Sequence, residues 1–213
     1  MHHPNGYVQP GPSSLRAEEE VELKLLTDEE FKRLLAALDP LDIWAVRNHW
    51  LLVLFVHTGL RVSEMAGLTV GHVSNNGQPR QRLYVPKHLA KGGRSDGWVP
   101  LNTTARKAIS EILAFNQRYG FSGAPEAAFL TTRKHTHISA RSIQALVQKL
   151  RERAGLDVAA TPHVIRHTFI SNMAKHANLV IVQQAARHRR PETLRVYAHA
   201  RPEEVCAAVE LLA

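Results

Sequence analysis

Between Leu68 and Leu101 the apolar periodicity of this chain changes, and that interruption most limits what it can fold into. On both sides, apolar residues recur at helical spacing between recognisable caps. Thr27-Asp28-Glu29-Glu30 reads as a capping box, followed by Phe31, Leu34, Leu35 and Leu38, with Pro40 as the stop. Residues 48–58 predict a helix buried on most sides and ended by Gly59, and Arg61 then opens a short helix at its N-terminal turn. A further helix is expected over 103–119, capped by Asn102 or Thr103, with Gly120 just past its end. Another spans 139–154, with Ile143, Leu146, Val147 and Leu150 on one face and Gly155 behind it. Thr161-Pro162 gives a cap and a proline at the first helical position, which puts His163, Arg166 and His167 on the first turns of a helix. Pro191 starts a short helix carrying Tyr197, and Val205, Val209 and Leu212 mark a last one. Inside the interruption, residues 82–86 and 98–101 read as short strands flanking the turn-rich stretch 91–97. The expected fold is mainly α with a small antiparallel β-hairpin.

The totals narrow the class. A chain of 213 residues, 44% of them apolar, suits one globular domain with a sizeable core. Lysine and arginine outnumber acids 27 to 19, and the resulting charge of +8 suits an anionic partner, of which nucleic acid is the commonest. The single cysteine, Cys206, rules out an internal disulfide and a cysteine zinc site. The longest apolar run, residues 50–56, is far too short to span a bilayer, so no membrane association is expected. Residues 1–14 are rich in Pro, Gly, His and Asn and lack an apolar signal core; a flexible tail over 1–20 and a cytoplasmic location are expected.

The chemistry-bearing residues are Arg61 in Thr58-Gly59-Leu60-Arg61-Val62-Ser63-Glu64, Lys91 in a glycine-rich turn, His163-Val164-Ile165-Arg166-His167, His188, and Tyr197 nine residues after it. Alone, each has an ordinary reading: Arg61 as a helix-start arginine paired with Glu64, Lys91 as a solvated loop residue, Tyr197 as an aromatic at the edge of the core. His163 and His167 have the spacing of zinc ligands on a helix, but the residues between them are Val-Ile-Arg, and Arg166 would repel a metal. Together, two arginines, several histidines and a tyrosine make a poor metal site and a good phosphate site. Arginine forks grip phosphate oxygens in a bidentate way, and a helix N-terminus adds partial positive charge.

In that order and spacing the chain resembles the catalytic domain of the tyrosine recombinase (phage integrase) family. The matching segments are residues 58–68, Lys91-Gly92-Gly93 through Val99-Pro100-Leu101, His163 through Thr168, and His188 through His199. The resemblance covers roughly residues 23 to 200, so residues 21–213 are expected to form one such domain, ending in a C-terminal helix over 203–213. Two departures stand out. Where the family usually has Leu-Gly before the histidine, this chain has Ala186-Arg187 before His188; the large side chain should alter the backbone approach to the site or add a DNA contact. The helical core-binding domain that usually precedes this region is expected to be absent: either the chain is a piece of a longer protein, or it resembles the short, catalytic-domain-only recombinases.

The resemblance implies a site-specific DNA recombinase that needs neither metal nor cofactor. Tyr197 would attack the scissile phosphate to give a 3′-phosphotyrosyl intermediate. Arg61, Arg166 and His188 would stabilise the non-bridging oxygens, His163 would accept the tyrosine proton, and Lys91 would protonate the leaving 5′-oxygen. Glu64 and His167 would support this set. The implied partners are double-stranded DNA and further copies of the chain, a tetramer coupled through the C-terminal helix. The neighbouring readings are a type IB topoisomerase-like strand relaxer and a DNA-binding regulator that keeps the fold without the chemistry.

Overall fold

The computed structural model describes residues 24–89, 96–157 and 160–187. The expected flexible tail, Lys91, His188, Tyr197 and the last two expected helices lie outside them.

α1, Asp28–Ala36, starts on the expected capping box: the Thr27 hydroxyl accepts from Glu30 N, and the Glu30 carboxylate accepts from Thr27 N at 2.8 Å. α2, Ala45–Thr58, begins three residues before the expected start, after Trp44, and stops at Gly59 in the left-handed conformation, φ +57°. It is the central element, with Leu51, Leu52, Leu54 and Phe55 wholly buried. Short helices α3, Val62–Ala66, and α4, Val70–Val73, carry the chain away from it.

One hairpin was expected in the interruption; its described residues form two antiparallel strand pairs. β1, Ser74–Asn75, pairs antiparallel with β2, Gln78–Pro79, around Asn76 and Gly77, both at positive φ as a tight hairpin turn demands. β3, Arg82–Val85, pairs antiparallel with β4, Gly97–Pro100, in the register Leu83 to Val99 and Tyr84 to Trp98. Alternation sends Leu83, Val85 and Val99 into the core and leaves Tyr84 and Trp98 outside, where the Arg82 guanidinium covers the Trp98 ring at 4.5 Å.

α5, Thr103–Arg118, capped by Asn102, lies along α2 and buries Ala105, Ala108, Ile109, Ile112 and Phe115. α6, Ala140–Arg153, capped by Ser139, buries Ile143, Val147 and Leu150 against α3 and α1; Leu146 packs at the core edge. α7, Pro162–Ala174, has the predicted Thr161 cap and leading proline and packs on α2. Thr168 fastens the entering chain to it, its hydroxyl accepting from Leu26 N at 3.0 Å and donating to Val164 O at 3.0 Å. α8, Leu179–Ala186, was not foreseen; Val182 and Ala186 join Ile170 in a second small apolar cluster. The architecture is the predicted one, mainly helical with small antiparallel pieces. No helix among the described residues is long and apolar enough to cross a membrane.

Candidate active site

Three helix ends meet here: the end of α2, the start of α7 and the end of α8. The left-handed turn at Gly59 aims its carbonyl at α7, where Arg166 lies one turn inside the helix start. The Arg166 Nη1 donates to Gly59 O and its Nη2 to Ala186 O, so one buried guanidinium ties the end of α2 to the end of α8. Burial, followed by the neighbouring Arg61 charge, pulls its pKa down to about 9; Glu64 opposes and Arg187 adds to the fall. Arg166 therefore stays charged at neutral pH.

Arg61 is the N-cap of α3, with extended backbone angles. Glu64, three residues on, accepts from Arg61 N at 2.7 Å through Oε2 and from Arg61 Nη1 at 3.0 Å through Oε1. The pairing anticipated from spacing is present, and Glu64 orients the arginine. Glu64 is fully buried, whereas the Arg61 side chain keeps 27% of its surface. Arg61 is thus the half-open member of the group and Arg166 the sealed one.

Arg187 completes the cluster. It caps α8 in the left-handed region, φ +51° and ψ +45°, a conformation that glycine adopts without steric cost. Its Nη2 donates to Glu64 Oε2. The family's usual glycine at this position has a backbone reason, and the arginine here turns inward. Burial pushes its pKa down, with Glu64 pulling the other way.

His163 and His167 stack edge to face on successive turns of α7, ring centroids 4.2 Å apart and planes at 84°. Burial, then the adjacent His163 and Arg166, lowers His167 to about 4, so that it is neutral at pH 7. His163 is exposed beside it. The fold therefore brings Arg61, Glu64, His163, Arg166 and His167 to one end of α2, α3 and α7, together with Arg187. All of these but Arg187 are singled out in the sequence, where Arg187 draws notice only as a departure from the family pattern.

Three guanidinium groups against one carboxylate leave an excess of two positive charges at this spot among the described residues. A tetrahedral anion with several accepting oxygens is the natural complement.

The sequence of residues 24–204 matches the model of the phage integrase family. The chain belongs to that family. Its curated relatives include the tyrosine recombinase XerC of Pseudomonas entomophila (strain L48), 30% identical over 201 residues, which cover 93% of this chain and 62% of the relative. The tyrosine recombinase XerD of Corynebacterium glutamicum is 32% identical over 163 residues, covering 75% and 49%. This phage integrase family member thus spans about half to three-fifths of the length of these relatives. Among solved structures, the Tn1549 transposon integrase in complex with circular intermediate DNA has a TM-score of 0.70 at 22% identity, over 93% of this chain and 69% of that one. The XerH site-specific recombinase bound to difH substrate gives 0.69 at 22%, over 89% and 55%. At this identity they establish the common fold.

Proposed function

We propose that this chain carries the catalytic machinery of a site-specific DNA recombinase that cuts and rejoins strands through a 3′-phosphotyrosyl intermediate. The observation that carries the reading is the cluster of Arg61 and Arg166, one half-open and one buried, fixed by Glu64 and by backbone carbonyls in a chain of this family.

Each role follows from the demands of phosphoryl transfer. As Tyr197 attacks, phosphorus becomes five-coordinate and charge grows on its non-bridging oxygens. Arginines already held in place stabilise that charge without reorganising, which is where such sites gain most of their rate. His188 donates to the same oxygens. A phenol with a pKa near 10 is a weak nucleophile at neutral pH, and exposed His163, on the first turn of α7, takes its proton. Lys91, between β3 and β4 in sequence, protonates the departing 5′-oxygen. The P–O bond to the 5′-oxygen breaks as the bond to tyrosine forms, and a 5′-hydroxyl reverses the exchange, so no external energy source is needed.

Double-stranded DNA is the substrate, in keeping with the +8 charge. Four copies assemble on it, coupled through the C-terminal segment bearing Val205, Val209 and Leu212. The enzyme works on DNA in a bacterial cytoplasm, as the bacterial sources of its relatives support.

The test is a denaturant-resistant adduct on nicked duplexes from the DNA flanking the gene. Wild type should yield a covalent band and Tyr197→Phe none, with DNA affinity retained. An adduct from Tyr197→Phe would sink the assignment.

A further inference from the structure

We infer that Arg187 is a positioning residue of the phosphate site: by sharing Glu64 it neutralises that carboxylate and leaves the charge of Arg61 available to the bound anion. This rests on the phosphate-binding reading of the Arg61 and Arg166 cluster.

The geometry assigns the role through Glu64. One carboxylate facing one guanidinium makes a neutral pair, and a neutral pair attracts a phosphate poorly. Glu64 is fully buried and uses both oxygens: Oε1 takes Arg61 Nη1, while Oε2 takes Arg61 N and Arg187 Nη2. With two guanidinium groups on one carboxylate, the trio keeps a net positive charge, and only Arg61 has surface to present it.

Arg187 itself is badly placed to grip the anion. It is 9% exposed, and its Nε and Nη1 are buried without a hydrogen-bond partner among the described residues. Those two donors add positive field without contact, at a desolvation cost a merely structural arginine would avoid. The surroundings accommodate the inward side chain. The Arg187 stem crosses Gly97 at the start of β4, where even a Cβ would come within 3.0 Å of Arg187 Cδ. The backbone accepts a left-handed conformation to send the side chain there.

A double-mutant cycle on the full chain tests this, using Arg187→Met, which keeps the stem and removes the charge, Glu64→Gln, and both together. The first readout is the rise in melting temperature given by inorganic phosphate over chloride at matched ionic strength. The second is the rate of adduct formation on the nicked duplex. Arg187→Met should weaken phosphate binding and slow adduct formation about tenfold or more. In the Glu64→Gln background, where no carboxylate needs neutralising, the same change should cost less than about threefold. Arg187→Lys should restore most of both. Equal losses in the two backgrounds would overturn the inference, as would a phosphate response untouched by Arg187→Met. Should Arg187→Met fail to fold, Arg187→Lys and the double variant still decide: a double variant markedly worse than Glu64→Gln counts against the role. A wild type that binds phosphate but forms no adduct counts against the recombinase reading and leaves the phosphate cycle to judge Arg187. A wild type that does neither removes the site and this role together.

Discussion

Gly59 is the residue on which the site's frame turns, and Gly59→Ala is the substitution whose cost can be worked through. At φ +57° an alanine is strained by its own backbone, at roughly 1 kcal/mol. A Cβ there would also run into the Phe169 ring, 2.7 Å from Cε1 and 2.8 Å from Cγ, closer than van der Waals contact permits. Overpacking costs about 1–3 kcal/mol. The lower end applies, because Phe169 is only half-buried and borders a cavity of about 370 Å³ into which the ring can swing. The expected total is about 2 kcal/mol, or a fall in melting temperature of roughly 4–8 °C for a chain of this size. The damage should extend to the site, because Gly59 O is an anchor of Arg166. Urea unfolding of Gly59→Ala in the wild-type and Phe169→Ala backgrounds separates the two contributions. With the ring removed, the cost should drop to about 1 kcal/mol, the backbone share alone. An equal cost in both backgrounds would show that the ring is no obstacle. A cost under about 0.5 kcal/mol in wild type would refute the left-handed turn itself.

The two principal arginines should fail in different ways. Arg61→Ala should slow adduct formation by roughly 10²–10³-fold with little change in unfolding midpoint, since the side chain is partly exposed. Arg166→Ala should lose as much rate and also about 2–3 kcal/mol of stability, because the Gly59 and Ala186 carbonyls lose their donor; denaturant unfolding beside the adduct assay distinguishes them. Glu64→Ala should cost about 3–5 kcal/mol by urea unfolding, since it strands the buried Arg187 without its counter-charge, and Glu64→Ala with Arg187→Met should recover much of it. His167 has a folded pKa of about 4 against an ordinary 6.5, so the unfolded chain takes up its proton first. Its contribution to stability is therefore complete above pH 6.5 and lost as the pH falls towards 4. Water screens the half-exposed ring, so we expect about 1–2 kcal/mol rather than the full linkage value. His167→Gln should flatten that part of the stability profile. DNA affinity should fall steeply with salt through counterion release; a salt-insensitive affinity would mean that the basic surface is not the DNA face.

What the sequence revealed, and what it hid, follows from how far each signal reaches. Caps are local chemistry, so Thr27, Asn102, Ser139 and Thr161 each mark a helix start that the structure keeps. The Arg61–Glu64 pair was legible because three residues on a helix start bring two side chains together. α8 was hidden because Val180, Ile181 and Val182 are β-branched and favour strands; the Asn178 cap and the packing of Val182 and Ala186 on Ile170 override that preference. The β1–β2 hairpin was overlooked although Asn76-Gly77 is a strong turn signal, because two-residue strands give no alternation to read.

Arg187 shows the limit most clearly. A family that keeps glycine at this position implies a left-handed backbone, and from that a reader of the sequence could foresee the turn. Nothing local announces that Glu64, 123 residues away, waits as its partner. That pairing exists only because α3 and α8 converge beside α2, with Gly97 leaving space between them. A charged residue replacing glycine would ordinarily be assigned to the solvent or to DNA. Here the buried carboxylate decides: a desolvated anion needs positive charge within reach, and the inward guanidinium supplies it. The same substitution in a chain lacking an acid at position 64 should face outward, whereas here Arg187 should resist labelling by an arginine-selective dicarbonyl reagent until the chain unfolds; rapid labelling of Arg187 in the folded protein would refute the inward pairing.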